Sequence, residues 1–158
     1  MDRKNLTLLF GCIVICEFAG FIGSIATFPA IPTWYAGLNK PWFSPPAWVF
    51  GPVWTLLYAM MGGALYLVIK NGLNYKNIKG FYLFGAQLSL NILWSIIFFG
   101  LKSPFFAVIE ILFLMAVIIL TMVEFRKVDK NAFYLMAPYL ACVVFASILN
   151  FWVWGLNP

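Results

Sequence analysis

Residues 104–123 read PFFAVIEILFLMAVIILTMV, a run whose single charged side chain is Glu110. About 20 apolar residues make a helix long enough to cross the ~30 Å hydrocarbon core of a bilayer, where the backbone must satisfy its own hydrogen bonds. Working outward, four further runs of similar length stand at about Leu6–Phe28, Ala47–Ile69, Gly80–Gly100 and Ala132–Trp154. The chain is therefore expected to be an all-α integral membrane protein, a five-transmembrane-helix bundle with an ordered first loop, forming one domain over residues 1–158. Arg3 and Lys4 before the first run are also what a secretory signal carries, but the run exceeds the usual apolar stretch of roughly 7–15 residues.

Composition agrees. The chain is 64% hydrophobic and 9% charged, against roughly 45–50% and about 25% in soluble domains, so the bilayer is its solvent and its first partner. Eight of the ten basic residues (Arg3, Lys4, Lys70, Lys76, Lys79, Arg126, Lys127 and Lys130) fall on the N-terminal side of the bundle, and only Lys40 and Lys102 on the other. The positive-inside rule then places the N-terminus in the cytoplasm and the first loop and C-terminus outside, in a multi-pass protein of the cell membrane. The net charge of +5 is thus a topology signal, and no nucleic-acid partner is implied.

Histidine is absent, which removes the commonest general base, zinc ligand and proximal haem ligand together. Catalytic triads and histidine metal sites are excluded, and no catalytic or metal residue is assigned. Cys12, Cys16 and Cys142 all lie in apolar runs, and their odd number gives no disulfide framework.

The first loop, about Pro29–Pro46, carries five prolines among Trp34, Tyr35, Trp42 and Phe43. Prolines restrict the backbone and aromatics need packing partners, so it is expected to fold as a lid over the mouth of the bundle. A plain interfacial aromatic belt is the alternative. No motif recurs at a fixed spacing and five spans do not halve, which disfavours an inverted-repeat carrier.

Within the spans, Gln87, Asn91 and Trp94 share one face of the third helix, followed by Ser95 and Phe98. Amides facing lipid are costly, so they should point inward, either to bond neighbouring helices or to line a ligand pocket. Tyr139, Cys142, Ala146, Leu149 and Asn150 form a comparable stripe in the fifth helix, and Trp54 and Tyr58 stand in the second. Small residues at Ala19/Gly23, Gly20/Ser24 and Ala59/Gly63 suit close helix contacts, within a protomer or between two. Glu17 and Glu110 lie inside spans without a basic neighbour there, so each is expected to be neutral or hydrogen-bonded across helices.

Several ordered blocks of this sequence resemble one family. Trp34-Tyr35, Leu38, Lys40-Pro41, Pro45-Pro46, Phe50, Val53-Trp54 and Leu57-Tyr58 are followed by Gln87-Leu88, Asn91, Trp94-Ser95 and Phe98-Phe99. Pro138-Tyr139-Leu140-Ala141, Phe145-Ala146 and Leu149-Asn150 complete the set, so the resemblance spans nearly the whole chain. It is to the translocator protein family (TspO/MBR), the tryptophan-rich sensory proteins and peripheral benzodiazepine receptors.

The resemblance implies a five-helix bundle, often a homodimer, with a pocket under the first loop. That pocket takes porphyrins such as protoporphyrin IX, haem, sterols in some members, and synthetic benzodiazepine-site ligands. Tyr35, Pro45, Trp54, Asn91, Trp94, Ala146 and Leu149 match pocket positions of relatives, and Cys142 stands beside them where many carry a tryptophan. A tetrapyrrole would be a ligand here, not a cofactor; stacking on Trp and Tyr faces with hydrogen bonds from Asn91 and the Trp54 indole would hold it without metal ligation.

Two departures matter. The tryptophan replaced by Cys142 is implicated in light-dependent porphyrin breakdown, so the protein is not expected to be an enzyme. The cholesterol-recognition segment of animal relatives needs Tyr followed by Arg, whereas this chain has Asn150-Phe151-Trp152-Val153-Trp154-Gly155. A formal match at Leu73, Tyr75 and Lys79 falls in a short loop and carries no argument for sterol. The leading expectation is a membrane receptor or sensor for tetrapyrroles, with movement of the ligand across or within the membrane left open. The alternative is a small proton-coupled multidrug-type exporter using Glu17.

Overall fold

The computed structural model describes residues 2–71 and 78–157. Lys76 and the Leu73 and Tyr75 of the sterol-type match lie outside the described residues. Five helices carry the fold: α1 (Arg3–Ala30), α2 (Ala47–Lys70), α3 (Ile78–Ser95), α4 (Pro104–Val128) and α5 (Lys130–Leu156). Each expected apolar run lies within its helix, the third only if the π-helical turn Ile96–Gly100 that continues α3 is included.

That π-helical turn is a departure from the sequence reading with a structural consequence. Leu101 N–H donates to the Ile96 carbonyl at 2.8 Å, a five-residue step in place of the α-helical four. The wider turn accommodates one more residue per revolution, so the adjacent Phe98 and Phe99 are both buried.

Short connections make neighbours antiparallel. Asp129 alone separates α4 from α5; its carboxylate accepts the Asn131 N–H at 2.7 Å as an N-cap and the Asn71 side-chain amide at 3.1 Å, tying in the end of α2. The helices close a ring in the order α1, α2, α5, α4, α3. Phe10, Phe18, Phe21, Phe28 and Phe113, each more than half exposed, project from it as a lipid-facing surface.

Small residues set the closest approaches. A Cβ on Gly62 would lie 2.5 Å from the Ile13 Cα, and one on Gly20 would run into the Tyr58 ring, so both positions bring α1 onto α2. A Cβ on Gly23 would lie 3.1 Å from the Ser95 Oγ of α3, and one on Gly63 would lie 3.5 Å from the Leu135 side chain of α5. The expected small-residue pairs thus serve contacts within the protomer at Gly20, Gly23 and Gly63, while Gly62 carries no pair spacing and went unnoticed in the sequence.

The two carboxylates part company. Glu17 is half-buried on α1, whereas Glu110 is 7% exposed between helices and neither of its oxygens meets a hydrogen-bond partner among the described residues. Of the two alternatives expected for Glu110, the cross-helix hydrogen bond is absent among the described residues. A buried polar group without a partner costs roughly 1–3 kcal/mol. Glu110→Leu is accordingly expected to raise the thermal unfolding midpoint in detergent; a lowered midpoint would mean that the carboxyl has a partner in solution.

Candidate ligand site beneath the first loop

The lid reading of the first loop describes its structure. Tyr35 opens a short 3-10 turn, Tyr35–Gly37, and is only 6% exposed. Its ring packs against Phe50, Phe98 and Phe99 at centroid distances of 6.5, 6.3 and 5.7 Å, and Trp34 meets Phe98 edge-on at 5.5 Å. Phe43 sits against Phe145 and Trp152 of α5. The Asn157 carboxamide closes the other edge, its oxygen accepting the Asn39 N–H at 3.0 Å and its nitrogen donating to the Asn39 carbonyl at 2.9 Å. Lys40 donates to the Tyr35 carbonyl at 2.7 Å and lies over the Tyr35 ring. Trp42, at 95% exposure, alone behaves as the interfacial alternative would have it.

Under this lid is a cavity of about 260 Å³. Tyr35, Phe50, Phe98, Phe99 and Leu149 line it on the lid side, and Trp54, Tyr58, Asn91, Trp94 and Ala146 line it further into the bundle. Gly20, Gly23, Ser24 and Thr27 contribute one side from α1. No lining residue bears a formal charge. Ser24 and Thr27 turn their hydroxyls back onto the Phe21 and Gly23 carbonyls, which lowers the polarity of that side further.

Of the eight residues singled out in the sequence, Tyr35, Trp54, Asn91, Trp94, Ala146 and Leu149 are brought together here. Pro45 and Cys142 are not part of the lining: Pro45 is half-buried in the lid and Cys142 packs against the main apolar core. Phe28, Ile31, Ala47, Trp48, Phe50, Phe99 and Gly51 are among the lining residues that were not assigned. The Gly51-Pro52 dipeptide near the start of an apolar run was the available signal for the last of these.

The amides have divided roles. Asn91 accepts from the Tyr58 hydroxyl and donates to the Tyr139 hydroxyl at 3.0 Å, joining α2, α3 and α5. Trp94 donates its indole N–H to Asn150 at 3.1 Å, and Asn150 donates to the Pro104 carbonyl at 3.0 Å, joining α3, α5 and α4. Asn91 both braces helices and lines the cavity. Gln87 does neither, being fully buried off the cavity with both amide atoms unpaired among the described residues.

One donor remains available at the edge of the cavity. The Trp54 indole, tilted against Tyr58 at 5.9 Å and edge-on to Tyr139 at 6.2 Å, makes no hydrogen bond within the described residues. The Tyr35 hydroxyl is enclosed beside the Ser44 hydroxyl and has no accessible surface to offer the cavity. Burial pushes this phenol above its ordinary range, partly opposed by the nearby Ser44 hydroxyl, so it stays a neutral O–H donor.

The sequence matches the TspO/MBR family over residues 12–155. This chain belongs to the TspO/MBR family. It is 44% identical over 154 residues to the tryptophan-rich protein TspO of Archaeoglobus fulgidus, covering 97% of this chain and 99% of that one. Identity to the TspO of Chlorobaculum tepidum is also 44%, over 159 residues and the full length of both. The human translocator protein is 40% identical over 139 residues, which are 87% of this chain and 82% of that protein. With five helices long and apolar enough to span a bilayer, this TspO/MBR member is an integral multi-pass membrane protein.

Proposed function

We propose that the protein is a membrane receptor or sensor whose cavity binds flat, conjugated, largely apolar ligands, tetrapyrroles such as protoporphyrin IX and haem foremost. The observation that carries this is the wall itself: uncharged, built from Tyr35, Phe50, Trp54, Trp94, Phe98 and Phe99, with the Trp54 indole N–H unpaired among the described residues. Aromatic faces stack on a conjugated ring, and a few directional donors set its orientation. Ionised carboxylates of such a ligand belong at the rim, since the lining offers them no cation. Sterols and benzodiazepine-site compounds share the apolar requirement and form the wider ligand class. Family membership and the names of the translocator and sensory-protein relatives support the receptor reading.

The same proposal has the N-terminus cytoplasmic and the lid outside the cell membrane, because the basic residues gather at the end of the bundle opposite the lid. It has two copies forming a homodimer in the bilayer. It makes the activity binding and not catalysis, a thiol at Cys142 having replaced an indole that could exchange electrons with an excited ring. Onward movement of the ligand is a separate step that binding alone does not require.

Quenching of tryptophan fluorescence by protoporphyrin IX in detergent, corrected for inner-filter absorption, tests the reading. Saturable quenching is expected, with Trp54→Leu weakening affinity about tenfold through lost stacking and a lost donor. Ala146→Phe, which fills the deeper wall, should weaken it more. Non-saturable quenching, or equal affinity in both variants with native circular dichroism, would overturn the proposal.

A further inference from the structure

The cavity is not closed on all sides. In the half of the bundle away from the lid, α1 and α2 touch backbone to backbone, Gly62 against Ile13 and Cys12, and they remain in contact where Gly20 meets Tyr58. Towards the lid they part. Gly51 of α2 lines the cavity, yet it is exposed, and a Cβ placed on it would meet nothing within 4 Å. Phe28 of α1 and Trp48 of α2 also line the cavity while being 71% and 75% exposed. A side chain that both lines a cavity and faces outward marks an opening, and these three lie on the two helices that diverge.

The local chemistry suits a passage through the bilayer. Pro29 and Pro52 sit inside α1 and α2, and each removes the N–H that would have bonded the carbonyl four residues earlier, at Ile25 and Trp48. Both helices are thus weakened internally on either side of the gap. The gap is bordered by Phe28, Trp48, Ile31 and Gly51 without a charge, so a ring dissolved among acyl chains passes it without shedding a hydration shell. The lid route demands more: it breaks the paired Asn39–Asn157 bonds and pulls Tyr35 from its aromatic packing.

We infer that ligands enter and leave the cavity sideways, from the membrane leaflet on the lid side, through a slot between the lid-side halves of α1 and α2 whose threshold is Gly51. This rests on the ligand-binding reading above. The lid is then a fixed roof, and the ligand is selected first by its partition into the bilayer.

The test is stopped-flow quenching of the protein in lipid nanodiscs, with protoporphyrin IX delivered from vesicles and removed by excess empty vesicles. Gly51→Trp fills the threshold and is expected to slow both association and release about tenfold. Trp48→Ala removes a flank and should speed both. Asn157→Ala, which frees the lid edge, should leave both rates as they were, and Gly85→Trp, on a lipid-facing side of α3 away from the cavity, is the control for added bulk. If Gly51→Trp abolishes binding by intruding into the cavity, the Trp48→Ala rates decide. Native rates in Gly51→Trp, or faster exchange in Asn157→Ala alone, overturn the slot while leaving the receptor reading intact. An absence of saturable quenching in the unaltered chain defeats the receptor reading itself.

Discussion

Gly62→Leu is expected to leave little folded protein, read as loss of the monodisperse peak in detergent gel filtration and of the cooperative thermal transition. The added Cβ alone would stand 2.5 Å from the Ile13 Cα and 2.8 Å from the Ile13 nitrogen. Both are backbone atoms of a helix that cannot yield as a flexible side chain would. Relief requires α1 to move bodily away from α2, which opens the packing around Cys12, Cys16, Leu57 and Met61, all buried in the same core. Overpacking a dense core costs about 1–3 kcal/mol when side chains can adjust, and more when they cannot. In membranes, where close packing substitutes for the missing hydrophobic drive between helices, that loss is not recovered elsewhere. Gly11→Leu, two residues before Ile13 on the same helix with nothing within 4 Å of an added Cβ, is the matched comparison and should fold normally. Equal yields and midpoints for the two variants would show that α1 and α2 do not meet as described.

Asn91→Leu carries the second large effect. Leucine is close in volume, so the change is chiefly the loss of the bonds from Tyr58 and to Tyr139, whose hydroxyls then sit buried without partners. Each stranded hydroxyl costs roughly 1–3 kcal/mol, while bonds between membrane helices average nearer 0.6 kcal/mol by double-mutant cycles. A loss of about 2–4 kcal/mol is therefore expected, measured as a lowered unfolding midpoint in detergent. The diagnostic result is rescue. Adding Tyr58→Phe and Tyr139→Phe to Asn91→Leu removes the stranded groups and should restore much of the stability, since apolar replacement of all partners is nearly neutral. A triple variant less stable than Asn91→Leu alone would place the cost in packing and not in the hydrogen-bonded chain.

These predictions separate two kinds of information. Five spans, their limits and the absence of histidine-based chemistry were legible in the sequence, because crossing a bilayer constrains composition over about 20 consecutive residues, a local property. The paired blocks from Trp34 to Asn150 were legible for the same reason: each is a short run whose order survives in the chain. Six of the eight site residues sharing one cavity followed from those blocks. Cys142 could not be separated from the six, since helical spacing says which side of a helix a residue occupies but not how deep a neighbouring helix lies against it, and Pro45 stands in the lid, where the path of the loop decides what faces the cavity.

What tertiary structure alone decided is where side chains from distant segments meet. That Asn91 is engaged by two tyrosines, and that Gln87 on the same helix face is not, depends on α2 and α5 reaching one level of α3 and missing another. That Gly62, unmarked by any spacing, is the tightest approach depends on the backbone of α1. The π-helical turn that buries Phe98 and Phe99 together is set by packing at the end of α3, which the sequence does not announce. Whether Gly51 stands open depends likewise on α1, which meets α2 at Gly62 and Gly20 but leaves nothing within 4 Å of a Cβ at Gly51. Hydropathy is summed along one helix and determines that it enters the membrane; the angle between two helices is set by contacts among all five, and no single stretch of sequence contains it.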